Sequence, residues 1–218
     1  MAGIFITLEG IDGCGKSTQI RMLAEALRRR GVEPLVTREP GRTLIGERVR
    51  RLLSEAGNSM AAETELLLFV AARAQHVREI IGPALEAGRV VISDRYTDSS
   101  AAFQGYGRGL DLATIDNMNR FATGGLTPDL TILFDLDPAL ARARLDRRTR
   151  SVAADATDSD LDYLNREEQA FHERVRDGYL RIREKDSSRI HLVDSSGPVE
   201  QTRESVLSLV LPLIDFGF

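Results

Sequence analysis

Residues 10–18 read Gly-Ile-Asp-Gly-Cys-Gly-Lys-Ser-Thr and fit the spacing G-x-x-x-x-G-K-[ST]. This spacing suits phosphate binding. Gly10, Gly13 and Gly15 let the backbone fold so that successive N–H groups point into one concavity. Lys16 brings a compact positive charge to the outer phosphates, and the Ser17 hydroxyl suits Mg²⁺. Gly10, Ile11, Asp12, Gly13, Cys14, Gly15, Lys16, Ser17 and Thr18 are therefore the candidate ATP-binding positions. Of the 29 basic residues 27 are arginine, so a lysine at position 16 stands against the habit of the chain. Cys14, the sole cysteine, excludes an internal disulfide and any multi-cysteine metal site. Inside the loop it reads as a small residue.

A second constellation follows the apolar run Val90-Val91-Ile92. Asp94 and Arg95 stand at its end, where a carboxylate can hold Mg²⁺ and a guanidinium can grip a phosphate bidentately. Next come Ser99, Ser100, Phe103, Gln104, Gly105, Tyr106, Gly107, Arg108 and Gly109, a mix of hydroxyls, amides and rings that a nucleobase needs. Phe69 and Arg73 are four apart on a helical pattern and share a face, so a ring and a guanidinium could meet one base.

These groups require a frame. Apolar strand patterns recur at 4–8, 33–37, 89–93, 130–136 and 189–193, with helical patterns at 16–30, 44–56, 62–87, 112–123, 139–148, 161–185 and 199–211. Pro83 should interrupt the third helix. The alternation predicts an α/β fold: a five-stranded parallel sheet with helices on both faces, of the P-loop NTPase type, with ligands at the strands' carboxyl ends. The 218 residues suit a single domain spanning 1–218. The polar stretch 149–160 breaks the pattern and reads as a mobile lid, about 147–162. A net charge of −4 argues against nucleic-acid binding. No signal peptide or membrane-spanning run is legible, which points to a cytoplasmic protein.

The block Ile92-Ser-Asp-Arg-Tyr-Thr-Asp-Ser-Ser-Ala-Ala-Phe-Gln104 resembles the signature of bacterial thymidylate kinases. So do Glu9–Gln19, Thr37-Arg-Glu-Pro-Gly41, Phe69-x-x-x-Arg73, Pro128-Asp-Leu130 and Phe171-His-Glu-Arg-Val175, in family order across nearly the whole chain. The resemblance implies ATP and Mg²⁺ as cofactors, dTMP as substrate, dTDP as product and a homodimer. It implies thymine stacked on Phe69, its edge met by Arg73, Ser100 and Gln104, and Asp12 accepting from the 3′-hydroxyl. Phe103 would disfavour a ribose 2′-hydroxyl. Arg95, with Arg38 and Arg50, would bind the acceptor phosphate. Glu39 and Glu9 would act near the metal, which Ser17 and Asp94 would hold. Ser99 belongs to the same substrate-binding block, and adenine would lie against 194–198. Other acceptors, dUMP or a deoxynucleoside, fit the same loop, as does a P-loop regulator without phosphotransfer.

One departure concerns the arginine that serves the transferring phosphoryl group. Some family members place it after the loop aspartate, where this chain has Gly13. The usual lid pattern Asp-Arg-x-(Glu/Asp) here reads Asp162-Tyr163-Leu164-Asn165. The substitutes within reach are Arg148, Arg150, Arg147 and Arg166, in that order, so Lys16, Asp94, Arg95, Arg148 and Arg150 form the candidate catalytic set.

Overall fold

The structure, a computed structural model, describes residues 3–55, 60–151 and 167–217. Five strands form one sheet: β1 Ile4–Glu9, β2 Leu35–Arg38, β3 Val90–Asp94, β4 Leu130–Asp135 and β5 Ile190–Asp194. All pairs are parallel, in the order β2-β3-β1-β4-β5. Their apolar, β-branched residues are what a sheet covered on both faces requires, and Phe5, Ile6, Leu8, Val91, Ile92 and Ile132 are almost wholly buried. The chain leaves β1 toward β2 and leaves β3 toward β4, so its direction switches at β1 and β3. A ligand crevice opens at such a point, above the carboxyl ends of the strands. The register brings Leu8, Asp94 and Arg38 level there.

The helices are α1 Lys16–Arg28, α2 Leu44–Ser54, α3 Ala62–His76, α4 Gly82–Glu86, α5 Thr97–Ser100, α6 Leu112–Thr123, α7 Pro138–Ser151, α8 Gln169–Lys185 and α9 Val199–Gly217. On α1, Ile20, Leu23, Ala24 and Leu27 are buried at the spacing of one helical face. Thr43 caps α2 by accepting from the Gly46 N–H, and Asp111 caps α6 by accepting from the Thr114 N–H.

Several boundaries differ from the sequence expectation. The expected long helix 62–87 is broken by a π-helical turn at Val77–Ile81. Its cause is Pro83, as anticipated: the proline ring crowds the carbonyl four residues back. The ladder widens so that the Gly82 N–H donates to the Val77 carbonyl. α8 begins at Gln169 rather than 161, because Glu168 is extended and the Phe171 N–H turns back onto its carbonyl. α7 runs on to Ser151, beyond the expected end at 148, and α9 continues through Pro212. Of the expected lid, 147–151 belong to α7, and 152–162 lie outside the described residues, as do Tyr163 and Arg166.

Candidate active site

The glycine loop joins β1 to α1. Gly10, Gly13 and Gly15 have φ of 137°, 82° and 101°, a region closed to most side chains. A Cβ on Gly13 would lie 2.6 Å from the Ala141 carbonyl oxygen. Gly15 is the N-cap of α1 and brings no side-chain cap, so the first N–H groups of the helix face outward at its positive end. Lys16 Nζ donates to the Gly10 and Ile11 carbonyls at 2.9 and 3.1 Å, which places a buried cation directly over the loop. Cys14 is buried, and burial raises its thiol pKa above the usual value, so it packs rather than reacts.

Arg95 follows β3 with φ of 74°, a left-handed conformation that costs energy in a non-glycine residue. The surroundings hold it there. Its Nη1 donates to the Gly10 carbonyl, the Ser99 hydroxyl and the Tyr179 hydroxyl, each at 3.1 Å. Nη2 donates to Asp12 Oδ1 at 2.8 Å, and the guanidinium lies 4.8 Å from the Phe103 ring centroid. Arg95 is thus fastened to the phosphate loop. Burial alone would raise the Asp12 pKa, but Arg95 and then Lys16 outweigh it and hold the carboxyl below its ordinary value.

Glu9 lies beneath this group, fully buried. It accepts from the Tyr96 N–H at 2.7 Å, the Ser99 hydroxyl at 2.6 Å and the Tyr179 hydroxyl at 2.8 Å. Burial first, and Asp98 second, raise its pKa to about 7. Glu9 was expected near the metal; its hydrogen bonds to Tyr96, Ser99 and Tyr179 brace the segment that carries Arg95. Tyr179, on α8, was missed altogether, since a lone tyrosine in a charged helix gives no signal.

The base-facing candidates form a separate ledger. Arg73 is almost wholly buried. Its Nε donates to Glu39 Oε2 at 2.8 Å, Nη1 to Ser100 Oγ at 3.0 Å and to Asn119 Oδ1, and Nη2 to the Tyr96 carbonyl at 3.0 Å. Glu39 is held from its other side by His76 Nδ1 at 3.0 Å, whose Nε2 meets the Thr37 hydroxyl. Gln104 Nε2 donates to Glu65 Oε1 at 2.7 Å. Phe69 lies between these two links and packs with Val49, Leu53 and Ala72. Asn119, His76 and Glu65 gave no sign in the sequence.

The four residues read together in the block 99–104 are divided between two faces. Ser100 and Gln104 face α3, whereas Ser99 and Phe103 meet Arg95 and Tyr179. Residues Ala101–Gly107 continue α5 as a π-helical segment. Its glycines serve packing rather than a ligand: a Cβ on Gly107 would lie 2.7 Å from the Phe171 ring on α8. Arg50 is buried and donates to the Pro40 carbonyl at 3.1 Å; Arg38 is half-buried, 3.8 Å from Glu47. The loop expected beside adenine is pinned by Arg144, which donates to the Ser195 carbonyl at 2.8 Å. Arg147 is exposed, and the side chains of Arg148 and Arg150 lie outside what the structure describes.

The pair expected to hold a divalent cation also fits its chemistry. Asp94 Oδ1 is buried with no hydrogen-bond partner, and Ser17 is exposed in the first turn of α1. Both offer hard oxygen ligands. Among the described residues no cluster of three or more His, Cys, Asp or Glu side chains stands ready for a metal. Few protein ligands suit an ion that keeps several waters and leans on substrate phosphates.

The model for the thymidylate kinase family matches residues 8–206. The chain belongs to that family. The thymidylate kinase of Geotalea daltonii is 45% identical over 210 residues, covering 96% of this chain and 97% of that protein. That of Desulfovibrio desulfuricans is 48% identical over 198 residues, 90% of each chain. The crystal structure of the thymidylate kinase from Ehrlichia chaffeensis superposes with a TM-score of 0.76 at 33% identity, covering 96% of this chain and all of that one. In this family member the phosphate loop, Arg95 and the α3 face converge at one end of the sheet. Among the described residues no helix is long and apolar enough to cross a membrane.

Proposed function

We propose that this chain is a thymidylate kinase that transfers the γ-phosphoryl group of ATP to the 5′-phosphate of dTMP, giving ADP and dTDP for nucleotide biosynthesis. The observation that carries this reading is the fastening of Arg95 to the phosphate loop through Asp12. It sets a guanidinium for the acceptor phosphate beside the donor's cradle. The helical segment that braces Arg95 through Ser99 also turns Ser100 toward Arg73 and Gln104 toward Glu65, on the α3 face that carries Phe69.

The acceptor is a phosphate monoester with a second pKa of about 6, so it arrives mostly as a dianion and needs no strong base. The difficulty is repulsion between two polyanions held in line. The loop N–H groups and Lys16 grip the triphosphate, and Arg95 holds the monophosphate against them. Arg38 and Arg50, close to Gly41 and Pro40, add positive potential on the acceptor side. Ser17 and Asp94 would hold Mg²⁺, which would supply neutralising positive charge to the donor phosphates. Arg148 and Arg150, whose side chains lie outside the described residues, are the first candidates for the arginine that serves the transferring group. Asp12, with one oxygen on Arg95 and the other buried without a partner, is disposed to accept from the sugar hydroxyl.

We further propose that the whole chain acts as one catalytic unit, in the cytoplasm, as a homodimer. Leu67 and Phe121, 53% and 90% exposed, lie on the adjoining helices α3 and α6 and suit a subunit contact. Sedimentation at twice 24.1 kDa is expected, and a single species at 24.1 kDa would contradict the dimer. The activity is tested by ADP release across a nucleotide panel. dTMP should rank first in kcat/KM, ahead of dUMP, dCMP and thymidine; another acceptor in first place would overturn the substrate assignment.

A further inference from the structure

Glu65, Phe69 and Arg73 follow one another at intervals of four on α3, and all three are buried. A buried carboxylate beside an aromatic ring needs a reason, since burying charge is costly unless it is paired. Glu65 has donors on both oxygens. Oε1 accepts from Gln104 Nε2 at 2.7 Å, and Oε2 accepts from Arg108 Nη2 at 3.0 Å. Arg108 in turn is held by Glu167 at 2.6 Å and lies 4.7 Å from the Phe171 ring centroid.

A carboxylate only accepts hydrogen bonds, so the Gln104 carboxamide has one orientation available. Its nitrogen faces Glu65 and its oxygen turns away. At the other end of the same helical face, Arg73 has five N–H donors, of which four have acceptors among the described residues; the fifth is on Nη2. The two ends of the Phe69 face therefore offer one fixed acceptor and one fixed donor.

We propose that Glu65 is a specificity-determining positioning residue. By fixing the amide oxygen of Gln104 as an acceptor, it selects a 2,4-dioxopyrimidine, whose ring N3 carries a proton and whose O4 accepts. A 4-aminopyrimidine presents the reverse pattern: N3 accepts and the exocyclic nitrogen donates, so both ends mismatch at once. A site built to hydrogen-bond one pattern can reject the other by about 10⁴-fold. This inference rests on the proposed reading that Gln104 and Arg73 meet the base edge.

The test compares dTMP with 5-methyl-dCMP, which keeps the methyl group, sugar and phosphate and changes only the hydrogen-bonding edge. The wild-type enzyme should prefer dTMP strongly in kcat/KM. Glu65→Gln lets either end of the Gln104 amide face α3, so the preference should fall by about tenfold or more. KM for ATP should hold within about twofold, because the phosphate end is untouched. Gln104→Met should lose preference as well, and the double variant Glu65→Gln/Gln104→Met should lose no more than Gln104→Met alone. Wild-type indifference to the two nucleotides would overturn the base-edge reading itself. An unchanged preference in Glu65→Gln, or additive losses in the double variant, would overturn the positioning role alone. Gln104→Met remains informative if Glu65→Gln folds poorly, since full preference retained there also refutes the proposal.

Discussion

At the phosphate end of the site the backbone does most of the holding. Gly10, Gly13 and Gly15 take positive φ, the first turn of α1 presents its N–H groups, and Arg95 donates to the Gly10 carbonyl. At the proposed base end the backbone stays helical, α-helical in α3 and π-helical over Ala101–Gly107, and side chains paired between the two do the holding: Arg73 with Ser100, Gln104 with Glu65. A backbone cradle recognises any phosphate chain, because every nucleotide carries the same oxygens. A side-chain ledger reads one base, because swapping a single donor or acceptor changes what it accepts. Arg95 belongs to both worlds, a side chain forced into strained backbone geometry so that it can join the loop.

The sharpest way to separate the two ends is Arg95→Ala. We expect kcat to fall by about 10³-fold or more while ATP affinity stays close to wild type. Single-turnover kinetics with a nucleotide-binding assay read both, and a near-normal rate would remove Arg95 from the phosphate end. Gly13→Ala attacks the backbone cradle. The new Cβ meets the Ala141 carbonyl, so we expect ATP binding to be lost and stability to fall by about 1–3 kcal/mol by denaturant titration. At the base end, Phe69→Leu keeps apolar volume but removes the stacking face. Loss of about 1–3 kcal/mol of base stacking should raise KM for dTMP and leave KM for ATP alone; equal shifts would mean that Phe69 only packs.

Smaller effects probe the brace between the ends. Tyr179→Phe removes one hydroxyl from Glu9 and Arg95 and should lower kcat by roughly 1 kcal/mol of transition-state stabilisation, about fivefold. Glu9 adds a pH signature. Its pKa is raised from 4.5 to about 7 in the folded protein, so the folded state binds its proton more tightly. That contribution to stability is complete below about 4.5 and fades as pH rises through 7. The melting-temperature advantage of wild type over Glu9→Gln should therefore shrink from pH 5 to 8. A flat difference would mean Glu9 is charged throughout.

Much of the phosphate end was legible in the sequence because glycine and lysine there answer to backbone geometry and charge at fixed spacing. The five parallel strands were legible for a related reason: strands buried on both faces must be apolar throughout. The base end was only half legible. Phe69, Arg73, Ser100 and Gln104 could be picked out from residue type, spacing and the family resemblance, but Glu65, His76 and Asn119, and Tyr179 beside Arg95, are ordinary residues in helical patterns. Their roles depend on which face meets which neighbour, and that is settled by packing between elements far apart in sequence. The split of Ser99 and Phe103 from Ser100 and Gln104 was hidden for the same reason: adjacent residues on one helix point to different partners. The misread start of α8 reflects a backbone turn made by common residues, which leaves little trace in composition.

A crystal structure with dTMP and an ATP analogue bound together tests the account most directly. The account predicts the pyrimidine against Phe69 with its edge at Arg73 and Gln104, and the monophosphate on Arg95 facing the triphosphate held by the glycine loop. A monophosphate bound away from Arg95, or a base seated outside the α3 face, would contradict it.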